Sequence, residues 1–145
     1  MDWLINLFKN IVFQTVISGV LVFVIGQIIQ RFFLEPIQKY KAVIGKIDNK
    51  LKFYKNIITN PGSDLIPKDI VLECSGELRK LSCKLEEIYK QIPFRGIIKP
   101  KEKISDSASR LIGLSNSVAI GRPEYTLENN EDIKRIRENL NIPAL

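Results

Sequence analysis

The sequence predicts an all-α protein with one N-terminal transmembrane helix followed by a small antiparallel helical bundle. An uncharged apolar run fills positions 10–30, and two long stripes of apolar residues follow it at alternating spacings of three and four. No segment alternates between apolar and polar residues with the period of two typical of a half-buried strand. We therefore divide the chain into residues 1–34, the N-terminus and transmembrane helix, and residues 35–145, a cytoplasmic helical bundle domain.

The uncharged run, NIVFQTVISGVLVFVIGQIIQ, contains 21 residues. At about 1.5 Å per residue, a helix of this length spans roughly 31 Å, which matches the hydrocarbon core of a bilayer. A buried core helix is an alternative, although the run is long for one. A cleaved signal peptide is disfavoured, because the chain starts with Met-Asp-Trp and the segment after the run, QRFFLEP, lacks a small-residue cleavage site.

Charges beside the run predict its orientation in a cell membrane. Only Lys9 precedes it, whereas five basic residues follow closely: Arg31, Lys39, Lys41, Lys46 and Lys50. The positive-inside tendency then places the N-terminus outside and the C-terminal domain in the cytoplasm. Trp3 and Arg31 suit the two interfaces of such a span.

Small or slim residues share one face of the predicted transmembrane helix. They are Thr15, Ser18, Gly19, Val22 and Gly26. Such a face allows a second helix to approach closely. Glycine is also simply commoner in transmembrane helices, so both interpretations stay open.

Two long helices are predicted after the run. Glu35-Pro36 marks a new start or a kink, and the segment NPGSD at positions 60–64 separates the two helices. The second helix extends from Pro67 to Ile92. The apolar stripes are Ile37, Tyr40, Ile44, Ile47, Leu51, Tyr54 and Ile58 in the first helix, and Val71, Cys74, Leu78, Leu81, Leu85, Ile88 and Ile92 in the second.

Two shorter helices complete the predicted bundle. The third covers Glu102 to Ala119, ends at Gly121 and Pro123, and carries the stripe Ile104, Ala108, Leu111, Ile112, Ser115 and Val118. The last has Asn130 as its N-cap and the stripe Ile133, Ile136 and Leu140. Oligomerisation through the same stripes is an alternative, but packing within one chain is favoured because four amphipathic segments are enough to cover one another.

The loop before the third helix is predicted to return to the bilayer surface. The first helix leads some 35 Å away from the membrane, and the second returns about as far. The loop combines apolar and basic side chains that suit a lipid surface: Phe94, Arg95, Ile97, Ile98 and Lys99. Lys39 and Lys41 are also close enough to contact headgroups. Alternatively, the apolar loop residues cap the bundle core.

Composition gives little support for catalysis. The chain has no histidine, the commonest general base and metal ligand, and no recognisable catalytic or nucleotide-binding motif. Cys74 and Cys83 would lie on opposite faces of a helix and are unable to pair, which favours a reducing compartment. A net charge of +6 on 145 residues does not favour nucleic-acid binding. We expect no enzyme activity, no metal and no cofactor.

One polar segment of the third helix is a candidate binding pocket. Arg110, Ser115 and Asn116 belong to it. Such residues more often face solvent or bond to backbone.

Several sequence segments resemble those of a protein family. FVIGQIIQRFFLEPIQKY, SGELRKL, QIPF and SRLIGLSNS resemble an uncharacterised family of small single-pass bacterial membrane proteins with a helical cytoplasmic domain. Its signatures look like LEPI and LIGLSNS, which match Leu34 to Ile37 and Leu111 to Ser117. The resemblance implies an anchor and a helical domain, and it assigns no catalytic residue.

The sequence thus favours a non-enzymatic, membrane-anchored interaction or regulatory module, such as a subunit of a larger membrane assembly. Its partners would be the lipid bilayer and either a protein or a second copy of the chain. Two alternatives are an oligomerising effector that perturbs the bilayer and a ligand-binding or catalytic helical domain.

Overall fold

The computed structural model of the chain describes residues 10–93, 95 and 98–143. Every regular element in these ranges is helical, which confirms the all-α prediction. The helices are α1 (Ile11–Ile29), α2 (Glu35–Phe53), α3 (Lys55–Thr59), α4 (Lys68–Gln91), α5 (Lys101–Ile120) and α6 (Thr126–Leu140). A π-helical turn (Gln30–Leu34) joins α1 to α2, and a 3₁₀ turn (Pro123–Tyr125) precedes α6.

Helices α1 and α2 form one continuous helix from Ile11 to Phe53. The N–H of Glu35 donates to the carbonyl of Gln30, five residues earlier, and this bond defines the π turn. Pro36 follows at once and has no N–H to donate. The wider π turn therefore lies where proline interrupts the regular hydrogen-bond ladder. A new start or a kink was expected at this point, but the helix continues through it.

Helix α1 is largely exposed in the described part of the chain. None of its residues is buried, so it is not the buried core helix that the sequence left as an alternative. Among the described residues, the continuous helix that contains it is the one long and apolar enough to cross a membrane, judged by length and composition. The Asn10 side chain caps its start by accepting from the Val12 N–H at 2.9 Å.

Helices α2 and α4 pack antiparallel, as the two matched stripes predict. Near the start of α2, the rings of Tyr40 and Tyr89 lie 6.4 Å apart. Near its end, the Tyr54 hydroxyl donates to the Glu73 carboxylate at 3.0 Å. Tyr54 has a ψ of 12° that separates α2 from the short helix α3, so the helix predicted from Ile37 to Ile58 is divided there.

Helices α5 and α6 complete an up-down-up-down bundle. Helix α5 lies antiparallel to α4, because Ser82 Oγ donates to the Ala108 carbonyl at 2.7 Å while Ser115 Oγ donates to the Ser75 carbonyl at 2.8 Å. Helix α6 lies antiparallel to α5 and returns beside α2, where Arg137 reaches Asp48 at 2.9 Å. The four helices thus form a closed ring around one core.

The predicted stripes supply most of that core. Tyr40, Ile47, Leu51, Tyr54 and Ile58 are buried, together with six of the seven stripe residues of α4, namely Cys74, Leu78, Leu81, Leu85, Ile88 and Ile92. Ile133, Ile136 and Leu140 are buried as well. Three details were wrong. In α2, Val43 is buried more deeply than the predicted Ile44, and in α5, Leu114 is buried while the predicted Ile112 is exposed. The reason is that α2 and α5 each pack against two neighbours and bury a broader face.

Asn130 is the third wrong detail. Helix α6 begins at Thr126, so Asn130 lies inside the helix instead of capping it. Its side chain donates to the Thr126 carbonyl one turn earlier, at 2.7 Å. The 3₁₀ turn at Pro123–Tyr125 leads directly into the helix and starts it before the expected cap.

Two glycines meet at the end of the bundle farthest from α1, which we call the distal end. Gly62 lies in the turn between α3 and α4 and has a φ of 84°, and Gly121 ends α5 with a φ of 66°. A Cβ atom on Gly62 would overlap the Gly121 carbonyl. Both positions need glycine, because positive φ is costly for other residues and the two backbones touch.

Replacing Gly62 with Ala should lower the free energy of unfolding by at least about 2 kcal/mol, since a strained φ and a backbone overlap add together. The unfolding can be followed in detergent micelles by urea titration on a Cys83→Ser background. Cys74 is fully buried, and burial, followed by the charge of Glu73, raises the pKa of its thiol to about 12. A thiol reagent therefore reports Cys74 when the bundle opens.

Gly45→Ala is the matched control. Gly45 lies inside α2, and a Cβ atom there would meet nothing within 4 Å. We expect this variant to be stabilised by about 0.5–1 kcal/mol. A Gly62→Ala protein as stable as the Gly45→Ala protein would contradict the close approach at the distal end.

Candidate functional site

Three segments meet at the end of the bundle where α1 joins α2, which we call the proximal end. The loop between α4 and α5 lies beside the first turns of α2, because Lys99 lines one depression with Ile37 and Tyr40. The Tyr89 hydroxyl of α4 donates to the Lys99 carbonyl at 2.7 Å. Lys99 Nζ in turn donates to Asn141 Oδ1 at 2.8 Å, directly after α6. The loop therefore returns to the end of the bundle that the helix lengths predicted.

An apolar groove of about 420 Å³ opens at the proximal end. Aliphatic side chains from α2, the loop and α6 form its walls, with Tyr40 beside them and two lysines at its edge. Its lining residues are Ile37, Tyr40, Lys41, Ile44, Ile98, Lys99 and Leu140. The groove thus presents hydrocarbon and positive charge next to the helix that leads into α1.

Positive charges at the proximal end lack carboxylate partners. Within the described part of the chain, no Asp or Glu oxygen lies within 4.0 Å of the cationic nitrogens of Arg31, Lys39, Lys41, Arg95, Lys99, Lys101 or Lys103. Burial, followed by the charge of Lys103, lowers the pKa of the Lys99 ammonium. An anion placed here would offset this accumulation of charge.

The residues predicted to contact a membrane surface are only partly described. Arg31, Lys39, Lys41 and Arg95 are exposed. Trp3, Phe94 and Ile97 lie outside the described residues. Ile98 is half-buried and packs against the core, so this loop residue caps the bundle, as the alternative interpretation expected.

The predicted helix-association face is uncovered. Thr15, Gly19 and Gly26 are all exposed, and a Cβ atom at either glycine would meet nothing within 4 Å. The Thr15 hydroxyl donates to the Ile11 carbonyl at 2.9 Å, so it is satisfied within its own helix. Within the described residues, space is therefore open for a second helix to lie against this face.

The three residues of the predicted polar pocket are not brought together. Arg110 turns towards α6, where its guanidinium contacts Asp132 at 2.5 Å. Ser115 is buried against Ser75 of α4, and Asn116 accepts from Arg79, also of α4, at 2.5 Å. Each side chain is therefore used to join two helices. A depression of about 90 Å³ does touch Asn116, without Arg110 or Ser115 in its lining.

Two buried polar residues of α6 were missed. Asn129 donates to the Ile58 carbonyl at 2.7 Å and accepts from Ser117 Oγ at 2.6 Å. Arg137 joins Asp48 and also donates to the Pro143 carbonyl. Both lie four residues from Ile133, on the buried face of α6. This spacing could have predicted that both side chains face the core. They were missed because the predicted stripe included apolar residues only.

Metal ligands are not gathered in the described part of the chain: no group of three or more His, Cys, Asp or Glu side chains is placed to hold an ion. Comparison with protein-family models, with curated proteins and with solved structures gave no match. The resemblance to a family of small membrane proteins therefore stays a prediction.

Arg137→Met should lower the free energy of unfolding by roughly 2–3 kcal/mol, because it leaves the half-buried Asp48 without its guanidinium. The same Cys74 exposure assay measures it. Asp48 keeps Lys52 at 2.7 Å, so the loss should fall short of that for a fully isolated buried charge.

Arg135→Met is the control on the same helix. Arg135 is exposed and lies 3.6 Å or more from its carboxylate partners, so its loss should change stability by less than about 0.5 kcal/mol. Equal effects of the two substitutions would contradict the inference that the contact between Arg137 and Asp48 stabilises the packing of α6 against α2.

Proposed function

We propose that the protein is a membrane-anchored helical interaction module, held in a bilayer by α1 and carrying its four-helix bundle on the cytoplasmic side. One observation carries this proposal. Helix α1 is rich in Val, Ile, Leu and Phe, yet none of its residues is buried by the rest of the chain. Water is a poor environment for so much apolar surface, whereas lipid accommodates it and the helix satisfies its own backbone hydrogen bonds.

Charge and cysteine chemistry support the proposed side of the membrane. Basic residues flank α1 almost entirely on its C-terminal side, which favours a cytoplasmic bundle. Cys74 and Cys83 are both free, as suits a reducing compartment. Neither observation depends on the other.

An interaction role is supported by how the polar side chains are used. Ser115, Asn129 and Arg137 are buried and bonded between helices, so they serve the packing of the bundle. Two of the open surfaces of the described chain are the face at Gly19 and Gly26 and the groove at the proximal end. A partner helix, from another membrane protein or a second copy of the chain, fits the first of these.

Cys83 tests the anchor and its orientation together. It is exposed, whereas Cys74 is buried, so a membrane-impermeant maleimide should label the chain at Cys83 alone. We expect no labelling of intact cells and full labelling after permeabilisation, with all of the chain remaining in the membrane fraction after alkaline carbonate extraction.

Two variants make this test decisive. Cys83→Ser should leave the chain unlabelled both in intact cells and after permeabilisation. Asp2→Cys on that background should be labelled in intact cells, because the N-terminus is proposed to lie outside. Labelling of Cys83 in intact cells would overturn the orientation, and release of the chain by carbonate would overturn the anchor.

The alternative effector role predicts a different effect of substituting Gly19. If α1 associates with other copies and perturbs the bilayer, overexpression should be toxic and Gly19→Ile should abolish the toxicity by blocking close approach. The interaction module predicts no toxicity and a stable partner that co-purifies in mild detergent. Val22→Ile is a suitable control, because it adds bulk to the same face without filling the glycine position.

A further inference from the structure

We propose that the groove at the proximal end binds one anionic phospholipid, with an acyl chain against its aliphatic walls and the phosphate between Lys41 and Lys99. This inference rests on the proposed membrane anchor and adds a specific ligand to it. The chemistry of the lining supports it first. The groove is walled by Ile37, Ile44, Ile98 and Leu140, and its two charged residues are both lysines.

Charge complementarity points to an anion. Lys99 is half-buried, and among the described residues its ammonium group donates to the neutral side-chain amide of Asn141. Its pKa is lowered, first by burial and then by Lys103. Lys41 has no carboxylate within 4.0 Å among the described residues. A phosphate group held between Lys41 and Lys99 would offset the positive charge that both lysines bring to the groove.

Position points to a lipid in preference to a soluble anion. Gln30 ends the uncharged run, and Ile37 follows it on the same continuous helix, about 10 Å farther along the axis. With α1 in the hydrocarbon core, the edge of the groove lies beside the headgroup layer. Helical side chains lean towards the N-terminus of their helix, so Lys41 leans towards the membrane.

Tyr40 adds a third feature. Its ring lines the groove, and its hydroxyl is buried with no hydrogen-bond partner among the described residues. Burial, followed by the neighbouring Tyr89, raises the pKa of Tyr40 to about 12, so this hydroxyl keeps its proton. An unpaired buried donor is costly, and the ester or phosphate oxygen of a lipid would satisfy it after a small movement of the ring.

The test uses the full chain in nanodiscs that contain equal amounts of phosphatidylglycerol and phosphatidylcholine. Native mass spectrometry then counts the lipids that stay bound after the disc is removed. We expect one retained phosphatidylglycerol per chain and no comparable retention of phosphatidylcholine. The double variant Lys41→Gln, Lys99→Gln should weaken retention at least about tenfold.

The matched control is the double variant Lys55→Gln, Lys68→Gln. Both lysines are exposed and lie towards the distal end, so their loss removes the same charge while leaving the groove intact. Retention should be unchanged. Tyr40→Phe should weaken retention without lowering the free energy of unfolding, because no hydrogen bond within the protein is lost. Cys74 protection confirms that each variant is folded.

Each other outcome overturns the proposal. Equal loss of lipid in both double variants would mean unspecific attraction between charges. Equal retention of the two lipids would remove the role of the phosphate, and a dimer without lipid would make the groove an interface between copies. Carbonate extraction separates these failures from failure of the anchor, because a chain that stays in the membrane but retains no lipid refutes only the lipid site.

Discussion

The architecture depends on a single continuous helix that passes through two different surroundings. Its first half, α1, has no buried residue, and its second half, α2, supplies a seam to a closed bundle. The π turn at Gln30–Leu34 joins the halves without a loop. Whatever environment holds α1 therefore also fixes the direction of α2, and the other helices take their places around α2.

The antiparallel order of the bundle follows from that start. Helix α2 leads away from the π turn, α4 returns, α5 leads away and α6 returns. Two return points, the loop before α5 and the end of α6, consequently lie beside the beginning of α2. This arrangement gathers Lys41, Lys99 and Leu140 around one groove, although they are far apart in the sequence.

Apolar periodicity predicted the helices and most of the core, because burial on one side of a helix leaves a repeat of three and four residues. The stripe of α4 was predicted residue by residue, from Cys74 to Ile92. The π turn could not be read in the same way, since it changes hydrogen bonding without changing which side chains are apolar.

The candidate site was harder to predict than the core. Helix lengths placed Lys99 and Ile98 at the correct end of the bundle, but a groove depends on how α2, the loop and α6 meet. Arg110, Ser115 and Asn116 were grouped by nearness in sequence, whereas their hydrogen-bond partners lie on two different helices, α4 and α6. Partners of polar side chains depend on the register of neighbouring helices, and a single sequence carries little information on register.

The contact between Asp48 and Arg137 spans 89 residues of sequence, which has a consequence for synthesis. Helices α2, α4 and α5 can pair as hairpins while the chain is still being made, because their contacts are comparatively local. The ring closes only when α6 has left the ribosome. Until then, a nascent chain exposes the apolar faces of α2 and α5 that α6 will cover, and this interval is when it is most vulnerable to aggregation and to proteases.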